Sequence, residues 1–183
     1  MQALYPRHPG KLLIVGANDP MWRGSQSAHE SIYLNSRLPL VSESGTSALV
    51  RELAQMFGRI NGTRRSDWIR EGFAEYYAIE LVRRAGGMSD ERYENLHGKL
   101  VRNSQKVTTL RGEQITAVQV ARAVVLLQEL DREIRLKTHN KRSLDDVLRG
   151  AMRQGDIDTQ AFVQLSESVI GGSSKVLSTE LIQ

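Results

Sequence analysis

A change of apolar rhythm near residue 46 constrains this chain more than any other feature. Before it, apolar residues come in short extended runs. KLLIVGA, Lys11 to Ala17, is closed by Gly16 and the turn-forming Asn18, Asp19 and Pro20, which predicts a strand. SIYLNSRLPLV, Ser31 to Val41, carries β-branched and aromatic residues at its start and Pro39 near its end, a pattern that suits a strand at a sheet edge. After residue 46 the spacing becomes helical. Leu49, Leu53, Met56, Phe57 and Ile60 fall on one helix face, with Thr46 or Ser47 as cap and Asn61-Gly62 as the stop.

The same reading continues to the C-terminus. Ser66 caps a second helix whose stripe is Ile69, Phe73, Tyr76, Tyr77 and Leu81, ended by Gly86-Gly87. Ser89 opens a third helix with an acidic first turn, running towards Gln105. Thr116 to Lys137 is the strongest helical pattern, with Val120, Val124, Leu127, Leu130 and Ile134 on its core face. Ser143 caps a fifth helix and Asp158 or Thr159 a sixth, and both stop at glycine. The predicted class is α+β: a small N-terminal mixed sheet over about residues 1–45, then a mainly helical bundle over 46–183. At 183 residues with 40% hydrophobic content, one domain with one core is the expectation.

Several function classes fall away. The chain has no cysteine, so disulfides, thiolate metal sites and a cysteine nucleophile are excluded. A net charge of +4 is dispersed, and its densest stretch, Asp131 to Arg142, reads as a solvated helix end and loop, with no aromatic-interleaved motif for nucleic acid. No apolar run is long enough to span a bilayer, and the N-terminus lacks the apolar core of a secretory signal, which leaves the compartment open. G-x-S-x-G and phosphate-loop motifs are absent; Ser42, Ser44 and Ser47 sit where hydroxyls serve a helix N-terminus. His8, His29, His97 and His139 share no metal-ligand spacing.

One segment carries a specific chemical signature. In H-E-x-x-H, histidines at i and i+4 project from one helix face to grip a zinc ion while the glutamate reaches its water. SGTSALVRELAQMFG and WIREGFAEYYA stand in the order and setting of such a helix pair, preceded by an extended segment and followed by LDREIR and KRSLDDVLR. Over most of residues 11–170 the chain resembles the catalytic domain of the gluzincin aminopeptidases, and within them the bacterial glycyl aminopeptidase branch. The E-G-F-A-x-Y-Y block is the most specific part of the likeness.

The resemblance implies a zincin, thermolysin-like catalytic domain and assigns a role to four positions. The first zinc ligand falls on Arg51, the general base on Glu52, the second ligand on Gln55 and the third on Glu71. Only Glu52 and Glu71 match. Arginine is cationic and offers N–H donors alone, and glutamine is a poor zinc ligand. The spacing from Gln55 to Glu71 is shorter than the family's, its N-terminal β domain is missing, and none of the five tyrosines stands just ahead of the Thr116 helix, where the family places a transition-state-stabilising one. Glu30 lies in the region where the family holds a substrate's amino end, without the expected glutamate-rich pattern.

The expectation is therefore a catalytically inactive relative of zinc aminopeptidases, with Glu52 vestigial, no cofactor, and a role in binding an extended peptide or protein segment or as a scaffold. The alternatives are an active zinc aminopeptidase with atypical ligands, and a segment of a larger multidomain peptidase-like protein. Trp68, Phe73, Tyr76 and Tyr77 at helical spacing are expected in the core. Arg51, replacing the charge of a lost dication, is expected to pair with Glu71 or Glu52.

Overall fold

A computed structural model describes residues 4, 5 and 10–183. It is α+β, with six helices and a small mixed sheet. Its strands are β1 (Leu13–Ala17), β2 (Ser25–Ala28), β3 (Ser31–Asn35), β4 (Asn61–Gly62) and β5 (Asp156–Ile157). Its helices are α1 (Ala48–Gly58), α2 (Asp67–Arg84), α3 (Asp90–Ser104), α4 (Ala117–Lys137), α5 (Leu144–Gln154) and α6 (Thr159–Ile170). The described chain divides into two compact units, whose boundaries fall at the end of α1 and inside α2 and α3, not at the switch from extended to helical rhythm.

The first unit takes the residues up to Gly58 together with Ala74–Leu96. Its sheet runs β1-β3-β2, with β1 parallel and β2 antiparallel to β3. The strand expected at the sheet edge, Ser31 to Val41, is thus shorter and central. Asn35, 2% exposed, ends it: the amide Nδ2 donates to the carbonyls of Asp19 and Trp22, and Oδ1 accepts from the Arg37 N–H. Pro39 lies past this turn, so its missing N–H places no limit on β3.

Helix α1 packs against β2 and β3. Its most buried residues are Glu52, Ala54 and Gly58, while the expected stripe residues Leu53, Met56 and Phe57 are half-buried. The helix stops at Gly58, earlier than its spacing predicts, because Arg59 enters the left-handed region at φ 49°. In the same unit Tyr76 and Tyr77 are buried edge to face, and Tyr5 packs on Tyr77 and Phe57.

The second unit takes Arg59–Phe73 and His97–Gln183. Asn61-Gly62, expected as a helix stop, instead forms β4 and pairs in parallel with β5. Helix α4 is the hub: every residue from Ala123 to Gln128 is buried, so it meets neighbours on all sides. The caps expected at Thr116, Ser143 and Asp158 are present, the first two as capping boxes with Gln119 and Asp146. Trp68 and Phe73 both stack edge to face on Phe162. Ser66, expected as a cap, precedes α2 and turns its hydroxyl to Thr159, accepting from the Thr159 N–H, while Thr159 Oγ1 accepts from Trp68 Nε1. Among the described residues no helix is long and apolar enough to cross a membrane.

Candidate functional site

Glu52 is the centre of the site that the first unit builds. In a strand, side chains two residues apart share a face. Ser25 and Ser27 of β2 therefore both point at α1, while Gln26 and Ala28 face solvent. The Ser25 hydroxyl donates to Glu52 Oε1 and the Ser27 hydroxyl to Oε2, each at 2.8 Å. Glu52 is 3% exposed, so this two-point grip satisfies a carboxylate that would otherwise be costly to bury.

Arg51 closes the charge balance. Its Nη1 lies 3.5 Å from Glu52 Oε1 and its Nε 3.2 Å from Glu75 Oε2, a residue on the part of α2 that belongs to the same unit. Of the two acceptors expected for Arg51, Glu52 is thus within reach. Gln55, one helical turn on, is half-buried. Glu71 falls in the second unit, where Arg70 Nη2 sits 2.8 Å from its Oε1.

A general base must offer an oxygen to a substrate-bound water. Both Glu52 oxygens here already accept short serine hydrogen bonds under a guanidinium. Catalytic zinc needs three lone-pair donors and an open position, and the donor-only Arg51 beside Gln55 does not fit such an ion. Among the described residues no group of three or more His, Cys, Asp or Glu side chains is arranged to hold a metal. His29 is exposed, His97 pairs through Nδ1 with Gln128 Oε1 at 2.7 Å, and His139 follows the end of α4; His8 lies outside the described residues.

Sequence reasoning missed Ser25, Ser27 and Glu75. The S-x-S alternation was the available signal, but a polar four-residue strand has no apolar rhythm by which to recognise it. No protein-family model matches the chain, and no curated protein matches it.

Proposed function

We propose that this chain is a catalytically inactive relative of the zinc aminopeptidases, with a zincin-type fold, that binds an extended peptide or protein segment. The observation that carries this reading is Arg51. It occupies the position of a zinc ligand, has no lone pair to give, and its guanidinium lies against Glu52, the residue in the general-base position.

A binding role is supported by the β2 edge of the sheet, which no strand covers among the described residues. β2 ends the strand order, and Gly24 O accepts from the Asn35 N–H towards β3. Main-chain groups alternate sides along a strand, so Ser25 and Ser27 turn their N–H and C=O outward, where an incoming strand can pair. Their side chains meanwhile fix β2 to α1 through Glu52. The edge is thereby rigid and hydrogen-bond competent without a metal.

Metal analysis of the purified protein tests the inactive reading. The expected result is well below one equivalent of zinc and no chelator-sensitive release of N-terminal residues from peptides. One tightly held equivalent, or cleavage that a chelator abolishes, overturns it. The double variant Arg51→His with Gln55→His restores the H-E-x-x-H donor set and is expected to bind zinc measurably tighter than the native chain by calorimetry.

A further inference from the structure

A cavity of about 450 Å³ lies within the second unit, between the first half of α6 and the segment that follows that helix. Its size is that of a small-ligand site. Arg64 and Arg111 are adjacent on its lining, because Arg111 Nη2 donates to the Arg64 carbonyl at 3.3 Å. Arg64 in turn uses only Nη1, on Asp158 Oδ2 at 3.1 Å. Among the described residues the remaining nitrogens of both guanidiniums have no acceptor.

Asp158 is already engaged on both oxygens, since its Oδ1 accepts from the Ala161 N–H at 2.8 Å. The charged side chains of the lining are thus two arginines against one aspartate, and the like charges repel across the same space. A monoanion restores neutrality, whereas a dianion overshoots it. The loop that presents Arg64 is also held in an unusual shape: Arg64 and Arg65 adopt φ 52° and 64°, a left-handed conformation that persists only where the surroundings impose it. Here the Thr63 N–H donates to Ile157 O, and Arg111 holds the Arg64 carbonyl. The Arg64 backbone is fixed while its side chain stays 78% exposed.

The rest of the lining selects what the anion is attached to. Gln160 and Gln164, one turn apart on α6, carry exposed amides that make no hydrogen bond among the described residues, and each offers both a donor and an acceptor. Val163, Leu177 and Ile182 add apolar surface. A carboxylate, an amide and an aliphatic group on one small frame describe an acylated amino acid, the chemistry of a peptide's C-terminal residue. The geometry points to a carboxylate clamp: the cavity takes an acylated amino acid, with its carboxylate on Arg64 and Arg111, its amide on Gln160 and Gln164, and its aliphatic side chain on the apolar surface. This site is independent of the reading of Glu52, which belongs to the other unit.

N-acetyl-leucine and N-acetyl-leucinamide differ in the charge that the clamp reads, so titrating each into the native chain tests it without a variant. By nuclear magnetic resonance the acid is expected to shift the side-chain amides of Gln160 and Gln164 and the Leu177 methyls, with the neutral amide binding at least about tenfold more weakly. Arg64→Gln and Arg111→Gln are each expected to weaken the acid about tenfold, with helical circular dichroism unchanged. Arg65→Gln is the control, because that guanidinium pairs with Glu113 at 3.3 Å and is not on the lining. Its affinity for the acid should equal that of the native chain.

No shifts up to about 10 mM acid, equal affinity for acid and amide, or as large a loss from Arg65→Gln as from Arg64→Gln overturns the proposal. A tripeptide ending in leucine distinguishes the two sources of the same chemistry. Tighter binding than N-acetyl-leucine supports the clamp with a chain end as occupant, and weaker binding supports it with a free acylated amino acid.

Discussion

Glu52, which is buried, and Glu133, which is half-buried, are carboxylates in different units, and they are held by closely similar means. Glu52 receives two serine hydroxyls and lies beside the Arg51 guanidinium. Glu133, on α4, receives the Ser174 hydroxyl at 2.5 Å, the backbone N–H groups of Lys175 and Val176 at 2.8 and 3.3 Å, and Lys137 Nζ at 2.9 Å. The partners differ in kind. Glu133 pins main chain, fixing the segment after α6 on α4, whereas Glu52 pins side chains, fixing β2 on α1. The lesson is that Glu52 is built like a carboxylate with a purely anchoring task.

The largest expected effect comes from Glu133. Glu133→Ala leaves a hydroxyl and two amides without their acceptor, and is expected to cost about 3 kcal/mol by chemical denaturation, with faster hydrogen exchange at Lys175 and Val176. The anchor has a pH signature as well. Burial works to raise the Glu133 pKa, but the Ser174 hydroxyl, Lys137 and the Lys175 and Val176 amides outweigh it and bring it down to about 2. With the folded value below the unfolded one, the contribution is complete above the ordinary carboxylate range. It is lost as pH falls from there towards about 2. The stability difference between the native chain and Glu133→Gln should shrink across that window; a difference constant with pH would contradict the anchor.

Glu52→Ala is expected to cost less, about 2 kcal/mol, because Ser25 and Ser27 are half-buried and water can replace the lost acceptor in part. This variant is the sharpest way to break the comparison. A chelator-sensitive peptidase activity that vanishes with it would show that Glu52 is chemically different from Glu133. Ser27→Ala removes one of two donors and is expected to cost about 1 kcal/mol, with hydrogen-exchange protection falling along β2 and not along α1. Arg51→Ala gives the smallest change, about 0.5 kcal/mol, since its side chain is 28% exposed and its pairs are screened. A loss above about 2 kcal/mol there would mark Arg51 as a buried counter-ion and not a surface partner.

The helices were legible because their signals are local. Capping residues at Thr116, Ser143 and Asp158, apolar spacing through α4, and glycines at Gly86 and Gly171 each act within a turn or two, and each lies where the sequence places it. The misreadings involve partners far along the chain. Asn61-Gly62 has the composition of a helix stop, yet it pairs with Asp156-Ile157. Ser31 to Val41 has the look of an edge strand, but Asn35 folds the chain back and leaves β3 between β1 and β2. The site was half legible. Arg51 and Glu52 stood out against a zinc-binding pattern, while Ser25, Ser27 and Glu75, which hold them, carry no motif.

The sequence by itself determined the α+β class and the six helices, because propensity and capping belong to individual residues and their near neighbours. Only the tertiary structure decided what Glu52 touches, which strand lies at an edge, and which apolar residues stay in solvent. Those are properties of pairings between residues distant in the chain, whose free energies appear only when the backbone brings the two partners together.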